Sequence, residues 1–531
     1  MTQFLAFDEI NVVSDIHMGG RSDFQILALG KRLGRLIEKL AVDNPDRQTA
    51  LIFNGDMIDS LAEDIGGYVA IDQPEKMIVS IINDASFNPI WVALKKYVLQ
   101  PNRYLVFITG NHDIELGLPV VEQTIRDYLV GDVTDLPRRN ALNGAIIFAT
   151  HGTGYRCRVG SANIFCTHGN ETDPWNKVDY DQLAQLGLAQ NAGKYVDPGA
   201  WVPNAGTRLV KDVMNDIKRS YPFVDLLKPE TELIVPLLLV LAPSVVSKLR
   251  LGKIVDVGTG RLRGGFAVRD LLSGDVVDAV QVNPQVTDFR ATPDALLGDN
   301  LREYLGRSSA QMTEDDLLAN AEHAIAQNEP LYVPDNENEN PETLGLAGYF
   351  WDRIRGVDKY EALRRALLDK FEKVQKELDL KSLDNTFDLD TRDATFETIT
   401  ERASDDIHFI ITGHTHLERA IRIREDAKRF YYNCGTWIRL LNFSDYCLRT
   451  PMAFKKVCEE TLESHSIRTI DAAKMPVSDS ETRPFVRDCA AMVRIEVSGD
   501  AVEGKLFHVH GGDDGKPVTL EVVPGSEFAR Q

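Results

Sequence analysis

Five short segments carry residues with the chemistry of a metal site. They hold Asp15 and His17; Asp56 and Asp59 after Gly55; Asn111, His112 and Asp113 after Gly110; His168 before Gly169; and His414 and His416 after Gly413. Imidazole nitrogen and carboxylate oxygen, without thiolate, suit divalent ions such as Mn²⁺, Fe, Zn²⁺ or Mg²⁺. Asp56 is the natural bridge, because a carboxylate offers lone pairs to two ions at once. Two such ions, roughly 3.5–4 Å apart, lower the pKa of a bound water and clamp the oxygens of an in-line displacement at phosphorus. A lone histidine is more often an ordinary core or surface residue. Here five of the chain's 11 histidines fall in these segments, and the pattern predicts a binuclear metallohydrolase.

The elements that must position these residues are also legible. Each segment ends or follows an apolar, β-branched run: INVVSDIH, TALIFNGD, RYLVFITGNHD, ANIFCTHG and IHFIITGHTH. Such runs read as buried strands. The candidate ligands therefore sit at strand C-termini, where an α/β sheet opens into its crevice. Glycines beside them let the chain turn sharply and leave room for a substrate. Residues 24–42 and 76–98 place apolar side chains at helical spacing. On the first of these, Lys31, Arg32, Arg35 and Lys39 read as a solvated face. Residues 145–150 and 163–167 read as neighbouring strands of one hairpin, joined through 155–158.

In these five blocks the chain resembles the calcineurin-like metallophosphoesterase superfamily, whose pattern runs D-x-H, G-D-x-x-D, G-N-H-D/E, a His before Gly, and G-H-x-H. All are present, in order. The resemblance implies that Asp15, His17, Asp56 and His416 hold one ion, and that Asp56, Asn111, His168 and His414 hold the other. It implies that His112 stands on the substrate side as the cation or proton donor for the leaving oxygen, with Asp113 orienting it. It also makes Asp59 the acceptor for a ligand imidazole. The implied fold is a four-layer αββα sandwich built from residues 1–175 and 395–445. Residues 431–437 (YYNCGTW) are similar to the strand and turn that follow GHTH in that family. His151, in a second Thr-His-Gly, competes with His168. His168 is preferred because the acidic Glu171-Thr172-Asp173-Pro174 follows it, as in the family. For His151 a turn or packing role, a place beside the substrate and a ligand role stay open. Ser60-Leu61 follows Asp59 where the protein phosphatase branch has Arg-Gly, so the short form is more similar to bacterial phosphodiesterases and pyrophosphohydrolases.

Length and composition bound the rest. A chain of 531 residues exceeds one compact core. We expect a large, mostly helical insertion over the site at 176–394 and a small C-terminal extension with strands at 446–531. Within the insertion, residues 206–219 and 360–378 have helical spacing, and 334–341 (PDNENENP) reads as an exposed loop. Arg261 and Arg263 lie in a glycine-rich stretch that lacks the Lys-[ST] ending of a P-loop. With Arg21 and His151, they are candidate substrate contacts. The most apolar stretch, 233–246, is too short to span a bilayer and carries Pro236 and Pro243. A buried helix or a lipid-facing lid both fit it. Residues 1–10 lack the basic start and apolar core of a signal peptide. Six scattered cysteines without a CxxC pair predict reduced thiols and a cytoplasmic protein.

The net charge of −21 disfavours an extended polyanion, and no Lys/Arg-rich run marks a basic groove. The expected substrate is a phosphodiester or pyrophosphate in a small or lipid-like molecule, attacked by metal-activated hydroxide. Alternatives are a nuclease, a phosphomonoesterase and, remotely, a metal-free scaffold on the same fold. His508 and His510, two apart on a strand, read as surface or packing residues.

Overall fold

The computed structural model describes residues 4–218, 221–223, 226, 356–365, 367–368, 387–424, 428–462, 466–512 and 516–530, apart from Asp23, Ile65, Gly66 and Trp175. The chain divides into two compact units. One comprises residues 1–211, 387–439 and 488–531, the other 212–386 and 440–487.

The first unit is built on two sheets. Its strands are β1 (Ala6–Phe7), β2 (Glu9–Val13), β3 (Thr49–Asn54), β4 (Arg103–Ile108), β5 (Ile146–Ala149), β6 (Tyr155–Val159), β7 (Ala162–Cys166), β8 (Phe409–Thr412), β9 (Glu418–Arg424) and β10 (Arg429–Cys434). In the second unit β11 (Leu440–Leu441) pairs with β14 (Val486–Arg487), and β12 (Lys474–Pro476) with β13 (Thr482–Pro484). The first unit resumes with β15 (Ala491–Ser498), β16 (Ala501–His510), β17 (Thr519–Val522) and β18 (Phe528–Arg530). The eight-stranded sheet has the order β17-β16-β15-β2-β3-β4-β5, with β18 also on β16; the six-stranded sheet runs β1-β6-β7-β8-β10-β9. Strands β2 to β5 are parallel, as are β7, β8 and β10, so the five strands that precede the candidate ligands deliver their C-termini to one end of each sheet.

Packing explains why those strands read as continuous apolar runs. Ile10, Val12, Ala50, Ile52 and Val106 face the other sheet and meet Ile164, Phe409, Ile411 and Tyr432. Their neighbours Val13, Leu51, Phe53, Leu105 and Phe107 face helices. A sheet buried on both faces has no polar side to alternate with. The helices are α1 (Gly30–Val42), α2 (Pro74–Asn83), α3 (Asn88–Val98) and α4 (Pro119–Val130), which contribute Leu33, Leu36, Ile78, Trp91 and Ile125 to that core. Helices α5 (Leu136–Gly144) and α6 (Tyr180–Asn191) follow. On the outer face of the six-stranded sheet, Phe396 and Ile399 of α7 (Ala394–Arg402) pack against Ile410, Ile421 and Tyr431. The result is helix, sheet, sheet, helix: the αββα sandwich.

Three expectations are corrected. Residues 76–98 form not one helix but α2 and α3, bent by 95°. The Asp84 carboxylate accepts the Ser86 amide in the break, and Pro89 starts the next helix. Residues 145–150 and 163–167 are not one hairpin. Strand β5 is the edge of the eight-stranded sheet beside β4, whereas β7 pairs with β6, which occupies the supposed connector. Gly152 and Gly154, with φ of 68° and 64°, turn the chain between the sheets. Nor are the C-terminal strands an appendage: β15 pairs with β2 from Glu9 to Val12 and sits inside the eight-stranded sheet.

In the second unit, helices Asp445–Arg449 and Pro451–Val457 are described, and Arg364 Nη1 donates to the Leu448 carbonyl at 2.6 Å. Most of the expected insertion, including 233–246, Arg261, Arg263, 334–341 and most of 360–378, lies outside the described residues. All six cysteines are buried and unbridged. Among the described residues no single helix is long and apolar enough to cross a membrane.

Candidate metal centre

The turns after the strands are strained where the candidate ligands sit. Among the described residues seven non-glycine residues have positive φ, and five of them are Asp15, His17, Asp56, His414 and His416 (φ of 54°, 53°, 51°, 69° and 62°). Such backbone costs of order 1–3 kcal/mol per residue and persists where the surroundings enforce it, typically at functional sites. Part of that enforcement is visible. The Asp15 carbonyl accepts the Trp437 amide at 3.1 Å and the Thr436 hydroxyl at 2.8 Å. The Trp437 indole is anchored on the Ala491 carbonyl at 3.0 Å.

The side chains converge. His416 Nε2 lies 3.2 Å from Asp15 Oδ1, and His168 Nε2 lies 3.1 Å from Asp56 Oδ2. His17 Nε2 is 3.8 Å from the same Asp56 oxygen. Three sets have ligand atoms within 4.8 Å of one another: Asp15, His17 and His416; Asp15, Asp56 and His168; His17, Asp59 and His112. Asp56 thus stands between His17 and His168, where a bridge would be. The His168 ring is held from behind, with Nδ1 donating to the Asn54 carbonyl at 2.9 Å; Nε2 faces Asp56 and, in the neutral ring, would be the nitrogen left for an ion. Close approach accounts for two glycines. A Cβ on Gly55 would lie 2.3 Å from the His168 ring, and one on Gly110 would lie 2.1 Å from Asp56 Oδ1.

Electrostatics suit a cation. Burial opposes ionisation of Asp15, but the charge of His168 and a hydrogen bond with His416 outweigh it and hold the carboxyl at about 2. Asp56 and Asp59 are likewise buried yet held well below the usual range, chiefly by His168 for the first and His112 for the second. Burial would lower His168, but Asp56 and Asp15 push it up to about 10. Buried anions in this number need a positive partner. The donor set also contains orphans. Both ring nitrogens of His17 and the Oδ1 of Asn111 are buried without a hydrogen-bond partner. Polar atoms in that condition call for an explanation, and a bound ion supplies one. Divalent metal therefore fits these residues.

The remaining candidates divide. His112 Nδ1 lies 3.1 Å from Asp59 Oδ1, and His17 Nδ1 lies 3.7 Å from Asp59 Oδ2. The carboxylate at His112 is thus Asp59, not Asp113. Both Asp113 oxygens accept backbone amides, from Gly110 at 2.6 Å and Met57 at 2.8 Å, and so shape the His112 loop. Burial and the charge of Asp56 raise Asp113 to about 7. His414 belongs to none of the three sets; its Nε2 lies 3.3 Å from Asp173 Oδ2, while its amide faces the Asp15 carboxylate at 3.1 Å. Arg21 is exposed and paired with Asp64 at 2.8 Å. His151 is exposed, 3.4 Å from the Thr150 hydroxyl. His508 and His510 pair with Glu418 at 2.8 Å and Glu521 at 3.2 Å. Asn54 and Asn176 do not stand out in the sequence, and Asp173 does so only as part of the acidic segment after His168. Asn54 sits at the end of a strand that leads to a candidate ligand, but nothing local marks Asn176 or ties Asp173 to His414.

A family model described as calcineurin-like phosphoesterase matches residues 9–221. Comparison with curated proteins gave no match. The matched segment contains β2, β3, β4 and β7 with the candidate ligands that follow them, and His414 and His416 reach the same site from β8. Residues 9–221 are thus similar to the calcineurin-like phosphoesterase family, and with the clustered carboxylates and imidazoles they support a metal-dependent phosphoesterase.

Proposed function

We propose that the protein is a two-metal phosphoesterase that cleaves a phosphodiester or pyrophosphate bond in a small or lipid-like substrate. The observation that carries this reading is the position of Asp56 between His17 and His168, with ionised Asp15 beside His416. Mn²⁺ is the favoured ion, ahead of Fe, Zn²⁺ and Mg²⁺. When bound, the ions supply Lewis acidity at phosphorus and an activated water. Asp15, His17, Asp56 and His416 would hold one, and Asp56, Asn111, His168 and His414 the other.

The chain's own residues supply the rest. His112 is more accessible than the buried His17, at 19% against 2% side-chain exposure, as a group that meets substrate should be. Asp59 accepts from His112 Nδ1, which leaves Nε2 to hold a proton for the leaving oxygen. Asp113 fixes the loop that presents His112.

Two features favour the substrate class. The net charge of −21 repels a long polyanion, and Ser60 takes the place of the arginine that marks the protein phosphatase branch. We place the protein in the cytoplasm on its reduced cysteines. The test is Mn²⁺-loaded full-length protein assayed against bis-p-nitrophenyl phosphate, p-nitrophenyl phosphate, nucleotide pyrophosphates, a nucleotide-sugar lipid and oligonucleotides. Diesters or pyrophosphates should turn over fastest. Faster turnover of oligonucleotides would make it a nuclease, and preference for the monoester would make it a phosphatase.

A further inference from the structure

The loop after His168 carries a hydrogen-bonded chain between two candidate ligands that come from distant parts of the sequence. His414 Nε2 meets Asp173 Oδ2 at 3.3 Å. Asn176 Nδ2 donates to the same oxygen at 2.7 Å. The Asn176 side-chain oxygen accepts Asn111 Nδ2 at 3.5 Å. Asn176 is itself held in place, its amide donating to the Asp173 carbonyl at 3.0 Å and its carbonyl accepting Asn170 Nδ2 at 2.9 Å.

We propose that Asp173 and Asn176 are positioning residues for one of the two ion sites, holding His414 and Asn111 in their ligating orientations. This rests on the two-ion reading given above. A carboxylate only accepts hydrogen bonds, so the proton of the His414 ring belongs on Nε2 and the lone pair on Nδ1. A metal-binding imidazole needs that arrangement: one nitrogen donating to a carboxylate, the other free for the ion. Asn176 then decides which way the Asn111 amide points. With its Nδ2 engaged by Asn176, Asn111 turns its Oδ1 inward, and that oxygen is buried with no hydrogen-bond partner. The pair so fixed is the pair assigned with His168 to a single ion. The other ion's ligands are arranged by different contacts, His416 against Asp15 and His17 near Asp59. The loop therefore tunes one site and not the other.

The experiment is calorimetric titration of metal-free, full-length wild type, Asp173→Ala and Asn176→Ala with Mn²⁺, with bound metal counted by elemental analysis. Wild type should take up two equivalents. Each variant should keep one ion at wild-type affinity and bind the other about 10–100-fold more weakly. Asp173→Asn, which retains an acceptor oxygen, should recover part of the loss. Thermal melts of the metal-free variants should match wild type, which separates a positioning role from a folding defect. Should Asp173→Ala fail to fold, Asn176→Ala carries the test alone. Variants with two wild-type affinities, or with both sites weakened equally, overturn the inference. A wild type that binds fewer than two ions overturns the two-ion reading beneath it, and this inference with it.

Discussion

His112 and Asp59 form a pair, Nδ1 to Oδ1 at 3.1 Å, although the carboxylate adjacent to His112 in sequence is Asp113. Asp59 serves His112 with one oxygen and stands 3.7 Å from His17 with the other. It therefore touches both the substrate side and the metal side. The two residues should separate in their effects. His112→Ala should leave metal content intact and lower kcat by about 10²–10⁴, most for substrates with poor leaving groups. Asp59→Asn should lower kcat and also weaken metal binding, by about 10–100-fold. Metal analysis beside turnover on alkyl and aryl esters checks both. Loss of metal in His112→Ala would move His112 into the ligand set.

Gly110 tests how tightly the site is built. A methyl group there would lie 2.1 Å from Asp56 Oδ1 and 2.7 Å from the Asp56 amide nitrogen. Gly110→Ala should abolish metal uptake by displacing that carboxylate. Gly144→Ala is the control, because nothing lies within 4 Å of the added carbon. It should bind metal as wild type does. Equal metal uptake by the two variants would show that the Gly110 contact is relieved without disturbing Asp56.

A pH effect independent of the metal site follows from His408. Its Nδ1 accepts the Asn163 amide at 2.8 Å, so the bond needs a neutral ring. Burial, with Arg530 nearby, lowers its pKa from 6.5 to about 4. The unfolded chain therefore takes up the proton first as pH falls. The stability contributed by neutral His408 is complete above about pH 6.5 and is lost as pH drops through about 4. Thermal melts of metal-free protein should show a decline over that window, and the decline should be smaller in His408→Asn. An identical slope in both would exclude His408 as its source.

The sequence was informative where the signal was local. A strand, a tight turn and a candidate ligand lie within a few residues of each other, and Asp15, His17, Asp56, His168 and His416, which the structure clusters, are all legible that way. Contacts that depend on how strands are ordered could not. Strands β5 and β7 are apolar runs of similar length, and only their partners show that they belong to different sheets. The His112 carboxylate was misread because Asp113, one residue away, is occupied by the Gly110 and Met57 amides. Strands β15 and β16 looked like an extension because nothing within them reveals that β15 lies against β2. Asp173 reaches His414 across 241 positions, so no spacing rule would find it.

Asp56→Asn tests the central claim most directly, because Asp56 is the one residue assigned to both ions. Metal content and bis-p-nitrophenyl phosphate turnover should be measured side by side on wild type and variant after Mn²⁺ reconstitution. The account predicts two equivalents and metal-dependent turnover in wild type, abolished by chelator, with both lost in Asp56→Asn. A variant that kept two equivalents and near-normal turnover, or wild-type turnover indifferent to chelation, would contradict it.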